Sequence, residues 1–406
     1  MTPLVAANGD KTAPRCRKSC VTGAMGVARN GLAWALGLMV ATCIPRSFEN
    51  PDPIPESQAA TPPTPPSVFV FAHREQSRRL RGDWEPPQTL LVAYEENWPD
   101  VLGEIVAAAR PDTNVVVVLN PSNVTSRDVS QWLRSLDVQT VVVGHDSPWI
   151  RDYGPFELHD EWGSQQWIDM AYDVERPLDD DLPEQLGYLA GVAVERQALY
   201  LDGGGLISNG AGHCAMTEAS FLAFAGTSEL DTATATIEEL GCEVLTVVPA
   251  LSKEETGHID LIAQFLSPHV VAVAEIDATQ RPDDAHVLDS AVRLLQAGAE
   301  QLGQSLRVVR VPLVVRGNTY FSYINGTRLK DTFLVPAYLG VPESVESLAY
   351  RRLLSGLPDN VALASVFADD VAELGGAIHC VTLGLSARVA LVPDDSQPGS
   401  APDLVP

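Results

Sequence analysis

Four short segments of this 406-residue chain set reactive side chains among glycines or inside otherwise apolar runs: WIRDYGP (149–155), LDGGG (201–205), TGHIDLIAQF (256–265) and GGAIHCVTLG (375–384). The last holds Cys380. A lone thiol in a strand is ordinarily a small buried hydrophobe, and it becomes a nucleophile only with a partner that favours its thiolate. If Ile378–Leu385 is a strand, alternation sends His379 and Cys380 to opposite faces. The base must then come from elsewhere, and His258 is the candidate. The run IDLIAQF alternates behind Gly257 and reads as a strand, on which His258 and Asp260 share a face about 7 Å apart. That would place an acid/base group beside a cation-binding carboxylate. Taken alone, the pair is a local hydrogen bond at a strand end.

The carboxylates narrow the chemistry. Asp152, before a Gly-Pro turn, is by itself a turn residue. Asp152 and Asp260, from different segments, can each accept paired N–H bonds from a planar guanidinium. Trp149 can offer its face to the same cation, although a packed core Trp is the plainer reading. LDGGG lacks the GK[ST] ending of a phosphate loop, and no clear helix follows it. Asp202 instead supplies a third carboxylate, placed to orient His258 and raise its basicity.

These segments need a scaffold. Strand-like runs rich in β-branched residues cover Leu90–Tyr94, Asn114–Asn120, Gln139–Gly144, Val244–Pro249, Val270–Ile276, Leu306–Val315, Thr332–Tyr338 and Ile378–Leu385. Helix-like runs cover Asp100–Arg110, Ser126–Leu136, Thr232–Leu240, Ala285–Gln304 and Pro342–Leu357. In Ala285–Gln304 the apolar stripe is Val287, Ala291, Leu294, Leu295 and Leu302. The class is α/β or α+β with many short strands, and no repeat is visible residue by residue.

The ends differ from the body. Residues 1–45 read as an export-signal-like leader: Arg15, Arg17, Lys18 and Arg29 precede the apolar run Gly31–Ile44, too short for the about 20 residues of a membrane-spanning helix. Cys43 sits where a lipoprotein attachment residue would. Residues 46–70 are a Pro-rich tether, 71–392 the catalytic domain and 393–406 a disordered tail. The expected location is outside the cytoplasm, as a periplasmic, extracellular or lipid-anchored protein. It is cytoplasmic if the leader is a mis-assigned start, and membrane contact comes only through an N-terminal lipid or an uncleaved leader.

The net charge of -26, from 53 acidic and 27 basic residues, argues against nucleic acid as a partner, because phosphate backbones require clustered Lys and Arg. It would attract a cation. Six cysteines without metal-finger spacing form neither a zinc site nor a disulfide scaffold. The spacing does not decide whether Cys214 and Cys242 pair.

Taken in order, the four segments resemble the agmatine deiminase and bacterial peptidylarginine deiminase family of guanidine-modifying enzymes. DWEPPQTLLVAY (83–94), SYING (322–326) and LVPAY (334–338) extend the resemblance across roughly residues 75 to 392. The resemblance implies a pseudo-fivefold α/β propeller (pentein) of ββαβ units. It implies Cys380 as nucleophile, His258 as acid/base, and Asp152 and Asp260 as the grip on the guanidinium. Asp202 stands where agmatine deiminases carry Glu, and Asn325 matches a residue lining the site. Tyr94 departs from the family's Trp-Pro. The implied reaction is hydrolysis of a small cationic guanidino substrate, or of arginine in a peptide, to a ureido product and ammonia, with no cofactor or metal. Rivals are amidino transfer to an amine on the same fold, a Cys–His–Asp peptidase, a metal site built from His258, Asp260 and His213, and a guanidinium-binding domain without turnover.

Overall fold

A β–β–α–β succession recurs five times in the computed structural model, which describes residues 68–71, 78–226 and 230–389. The leader, Cys43, the tail and all but the end of the tether lie outside the described residues. In each unit two strands pair antiparallel, a helix follows, and a third strand returns parallel to the second. Such a parallel return needs a crossover, and a helix supplies it while covering the sheet.

The first unit comprises Thr89–Ala93, helix Pro99–Ala109 and Asn114–Leu119, extended by Gln139–Val142. Its leading strand is Leu383–Leu385, from the other end of the chain, which pairs antiparallel with Thr89–Ala93. The second contains Phe156–Asp160, Gln165–Ala171, helix Leu182–Ala190 and Val194–Tyr200. The third runs Leu206–Ser208, His213–Thr217, helices Glu218–Ala225 and Leu230–Glu239, and Val244–Val248. The fourth runs Ala263–Ser267, Val270–Glu275, helix Pro282–Gln301 and Arg307–Arg316, with Thr319–Ser322 at its edge. The fifth runs Thr327–Arg328, Thr332–Ala337, helix Glu343–Gly356 and Ala362–Phe367.

The sequence explains these choices locally. After Asn114, the strand Asn114–Leu119 is a continuous run of Val and Leu because it is a parallel strand with both faces covered. Helix Pro282–Gln301 starts on Pro with Asp283 and Asp284 in its first turn, which suits its free N–H groups and its dipole. It buries Ala285, Leu288, Ala291, Leu295 and Ala299 at helical spacing, against Val244–Val248 and Val270–Glu275. Each buried Leu contributes about 1.5–3 kcal/mol. The expected stripe is rotated: Val287, Leu294 and Leu302 are half-buried, because the core faces the small residues that let the helix approach two sheets.

Val68–Val70 pairs antiparallel with Val244–Thr246, so these three residues, expected in the tether, belong to the third sheet. The strands Phe156–Asp160, Gln165–Ala171 and Val194–Tyr200 escape the sequence reading because Glu, His, Gln and Arg interrupt their apolar pattern. Cys214, the second residue of His213–Thr217, forms a disulfide with Cys242.

Candidate active site

The reactive residues sit in the connections between successive units. Trp149 and Asp152 lie between the first and second, Asp152 in the single turn Ile150–Tyr153. Asp202 follows Val194–Tyr200. His258 precedes the turn Ile259–Leu261, which carries Asp260, between the third and fourth. Asn325 lies between Thr319–Ser322 and Thr327–Arg328. Cys380 precedes the closing strand Leu383–Leu385. Connections free of a strand's alternation can aim side chains that a sheet would separate.

Two strand expectations fail here. Residues 258–262 form a turn, and only Ala263–Ser267 is a strand; residues 378–382 also turn, and only Leu383–Leu385 is extended. Gly257 adopts φ +69°, and a Cβ there would stand 2.6 Å from that of Ala219. That conformation ends any strand before His258. Its carbonyl accepts from the hydroxyls of Thr217 and Ser220, which fixes the start of the turn.

The convergence is tight. His258 Nε2 lies 2.9 Å from Asp202 Oδ2, and its Nδ1 lies 3.5 Å from Asp152 Oδ1. Tyr200 donates its hydroxyl to Asp202 Oδ2 at 3.0 Å. Asp202, though shorter than Glu, therefore reaches the imidazole. Gly204 donates its N–H to Asp152 Oδ1 at 3.1 Å. A Cβ on Gly204 would stand 2.7 Å from Asp152 Oδ1, 2.7 Å from His258 Nδ1 and 3.1 Å from Asp260 Oδ2. The three groups surround one point, and only glycine leaves it clear. Cys380 Sγ lies 3.7 Å from Asp260 Oδ2 and 3.4 Å from Asn325 Nδ2.

A cavity of about 320 Å³ opens on this cluster, lined by Trp149, Asp152, Asp202, His258 and Cys380, with Tyr172, Tyr200 and Arg176 toward its sides. Trp149 also packs edge-on against Trp98, with ring centroids 5.6 Å apart. Asp260 and Asn325 are fully buried and outside the cavity's lining. Asp260 Oδ1 is buried without a hydrogen-bond partner, an unmet acceptor that costs free energy until a donor reaches it.

Charge follows this geometry. Burial pushes the Asp152 carboxyl up to about 7, aided by Asp202 and Asp260 and opposed by His258. Burial alone would lower His258, but Asp152 and Asp202 outweigh it and raise the ring to about 10. With two carboxylates against it, the His258 ring is the group held protonated. A guanidinium beside Asp152 would draw its carboxyl back down. Burial, reinforced by Asp260 and Asp152, pushes the Cys380 thiol well above its ordinary value.

Several residues here carry no signal in the sequence. His379 does not face away from the site: its Nδ1 lies 2.7 Å from Asp260 Oδ2, the oxygen that Cys380 approaches. Among the described residues no hydrogen bond joins its ring to the thiol. Asp83 of DWEPP lies 3.7 Å from His379 Nε2 and accepts from Arg151 Nη1 at 3.0 Å. The proposed metal set is not assembled. His213 bonds Thr246 instead, at 2.9 Å, and is absent from the cavity lining. Among the described residues no group of three or more His, Cys, Asp or Glu is arranged to hold a metal ion.

The fold is shared with deiminases of guanidino compounds. The solved agmatine deiminase of Enterococcus faecalis superposes with a TM-score of 0.69 at 19% identity, over 77% of this chain and 97% of that one. A cysteine-to-serine variant of the C. jejuni agmatine deiminase, with substrate bound, gives 0.63 at 15% identity, over 77% and 97%. In sequence, the agmatine deiminase of Pseudomonas aeruginosa is 22% identical over 361 residues, 76% of this chain and 95% of that protein. The chain belongs to the Porphyromonas-type peptidyl-arginine deiminase family, which matches residues 79–385.

Proposed function

We propose that this protein hydrolyses a guanidino group to a ureido group and ammonia, through a covalent intermediate on Cys380. The observation that carries the reading is the free thiol of Cys380, 3.7 Å from Asp260 Oδ2, beside the point that Asp260 Oδ2, Asp152 and His258 surround. A guanidinium held flat by Asp152 and Asp260 brings its carbon to attacking distance of the sulfur, about 3–3.5 Å. Its charge offsets the two carboxylates that oppose ionisation of the thiol, so the thiol proton leaves to solvent as the cation binds, His258 being already protonated. The thiolate adds to the carbon, and the tetrahedral adduct collapses as the His258 imidazolium protonates the departing ammonia. Neutral His258 then takes a proton from water, whose oxygen attacks the thiouronium carbon and expels the thiolate. Asp202 holds His258 on the side away from Asp152 and supports the imidazolium.

The far end of the substrate meets Arg176. It is half-buried, donates from Nη1 to the Tyr172 hydroxyl at 3.3 Å and lies 3.7 Å through Nε from Asp173 Oδ2, whereas Glu255, the acidic residue of the lining outside Asp152 and Asp202, is exposed. A fixed guanidinium there favours a substrate with a carboxylate at that end, as in free arginine or a peptide's C-terminal arginine, over the ammonium of agmatine. Agmatine is the second reading, favoured by the relatives' activity.

The five units are read as blades of a pseudo-fivefold propeller with the site at its axis. Support comes from the closure of both chain ends on one sheet and from the supply of site residues by every inter-unit connection. Export is supported by the basic-then-apolar leader and by the Cys214–Cys242 disulfide, since such bonds persist in oxidising compartments. The deciding assay measures ureido product and ammonia from agmatine, free arginine and arginine-terminated peptides side by side. Amidine transferred to an added amine without ammonia, or no product from any of them, would overturn hydrolytic deimination.

A further inference from the structure

Behind the thiol runs a chain of charged groups, buried at His379 and part-buried at Asp83 and Arg151, that the reaction as described does not use. Arg151 Nη1 donates to Asp83 Oδ1 at 3.0 Å; Asp83 Oδ1 lies 3.7 Å from His379 Nε2; His379 Nδ1 lies 2.7 Å from Asp260 Oδ2. The chain is anchored to the nucleophile's own backbone. The Arg151 N–H donates to the Cys380 carbonyl at 3.3 Å, and the His379 N–H donates to the Asn325 carbonyl at 3.1 Å. We propose that Arg151, Asp83 and His379 form a positioning relay that pins Asp260 Oδ2 and so fixes the plane in which the Asp260 carboxylate meets the guanidinium. The proposal rests on the deimination reading and names residues beyond its catalytic set.

A buried aspartate held at neither oxygen can rotate its carboxylate or take up a proton, and either change spoils a grip on a flat cation. His379 removes both options at Oδ2, and Oδ1 then remains as the unpartnered acceptor. The other ring nitrogen, Nε2, is buried without a hydrogen bond, and the charge it faces is Asp83, 3.7 Å away, which Arg151 in turn holds. Burial and Arg151 work against a charge on His379, but Asp260 and Asp83 outweigh them and raise it above its ordinary value. The relay thus presents a cation to the back of Asp260. His379 is buried and absent from the cavity lining, so it positions and does not touch substrate.

Three variants test this: His379→Ala, His379→Asn and Asp83→Asn, assayed for KM, kcat and pH dependence with whichever guanidino compound the wild type turns over. His379→Ala should raise KM by roughly 30-fold or more while kcat falls less, since the lost interaction grips the ground state as well as the transition state. His379→Asn, whose side-chain amide takes the place of Nδ1–H, should recover most of that loss. Asp83→Asn should move the alkaline limb of kcat/KM to lower pH, because removing the carboxylate lets the ring lose its proton sooner. Histidine-selective nitrogen NMR of the full chain, with His379 assigned through the Asn variant, should show the same downward shift without any substrate. An unchanged His379 titration and alkaline limb in Asp83→Asn would overturn the relay, as would His379→Asn losing as much as His379→Ala with KM unaltered. If His379→Ala does not fold, the other two variants decide. If the wild type forms no ureido product, the deimination reading fails, and the NMR titration still judges the relay.

Discussion

His258 and His213 are both buried histidines, yet their surroundings drive them in opposite directions. Two carboxylates flank His258 and raise it to about 10. His213 meets only a threonine hydroxyl and a phenylalanine ring, and burial lowers it to about 4. The first is a charged group beside a cavity, the second a neutral spacer in a core. What separates them is neither depth nor residue type but the carboxylates that the inter-unit connections bring to His258. His213 stands on a strand, where its neighbours are fixed by sheet pairing.

The largest effect that would break this contrast is at the group His258 serves. Cys380→Ala should abolish turnover, while a guanidino substrate still raises the thermal midpoint, because the carboxylates that bind the cation remain. Ammonia release near the wild-type rate from that variant would refute the assignment. Next in size is the histidine pair itself. His258→Gln should lower kcat by about 10²–10⁴-fold, the usual worth of a positioned general acid–base. His213→Gln should lower stability and leave kcat/KM of the folded protein unchanged. Equal losses from both in a steady-state assay would make His258 a packing residue.

Smaller again is the pH dependence of folding. His258 is held above its unfolded value of about 6.5. The stability it adds is therefore full below that pH, declines above it and is gone once pH passes its folded value of about 10. Asp152, raised to about 7, acts in the same sense, since burying its charge costs stability as pH climbs from the unfolded range near 4. Denaturant unfolding from pH 5 to 10 should show a falling stability that is flatter in His258→Gln. A wild-type curve that rises across this window would contradict both shifts.

What the sequence revealed follows the same division. Runs such as Asn114–Leu119 were legible because two-sided burial leaves an unbroken apolar string, and the long helices because their periodicity outlasts local noise. The residue types of the site are legible in the sequence, but strand alternation does not account for two of its segments. Alternation cannot describe 258–262 or 378–382, where a left-handed Gly257 and successive turns replace extended backbone. The sequence reading therefore excluded His379 on a strand rule, and the structure instead assigns its ring nitrogen to Asp260. Asp83 and Arg151 are invisible as partners, because a part-buried ion pair between residues 68 positions apart leaves no local pattern.

The smallest expected effect on catalysis comes from the Cys214–Cys242 disulfide, and it tests how far the active-site region depends on the strand beneath it. Cys214 lies on His213–Thr217, whose last residue donates its hydroxyl to the Gly257 carbonyl, one residue before His258. Closing a loop of 28 residues restricts the unfolded chain by about 3–4 kcal/mol on the loop-entropy account. The double variant Cys214→Ala/Cys242→Ala should lose stability of that order. Its kcat/KM below the unfolding transition should stay close to wild type, because sheet pairing with Val244–Val248 and the Ser220 hydroxyl on the same carbonyl still hold the Gly257 turn. Calorimetry and initial rates on the same sample separate the two outcomes. A large fall in kcat at temperatures where the variant is fully folded would mean that the strand transmits the bond's constraint to His258, and that core and site are not the independent environments their histidines suggest.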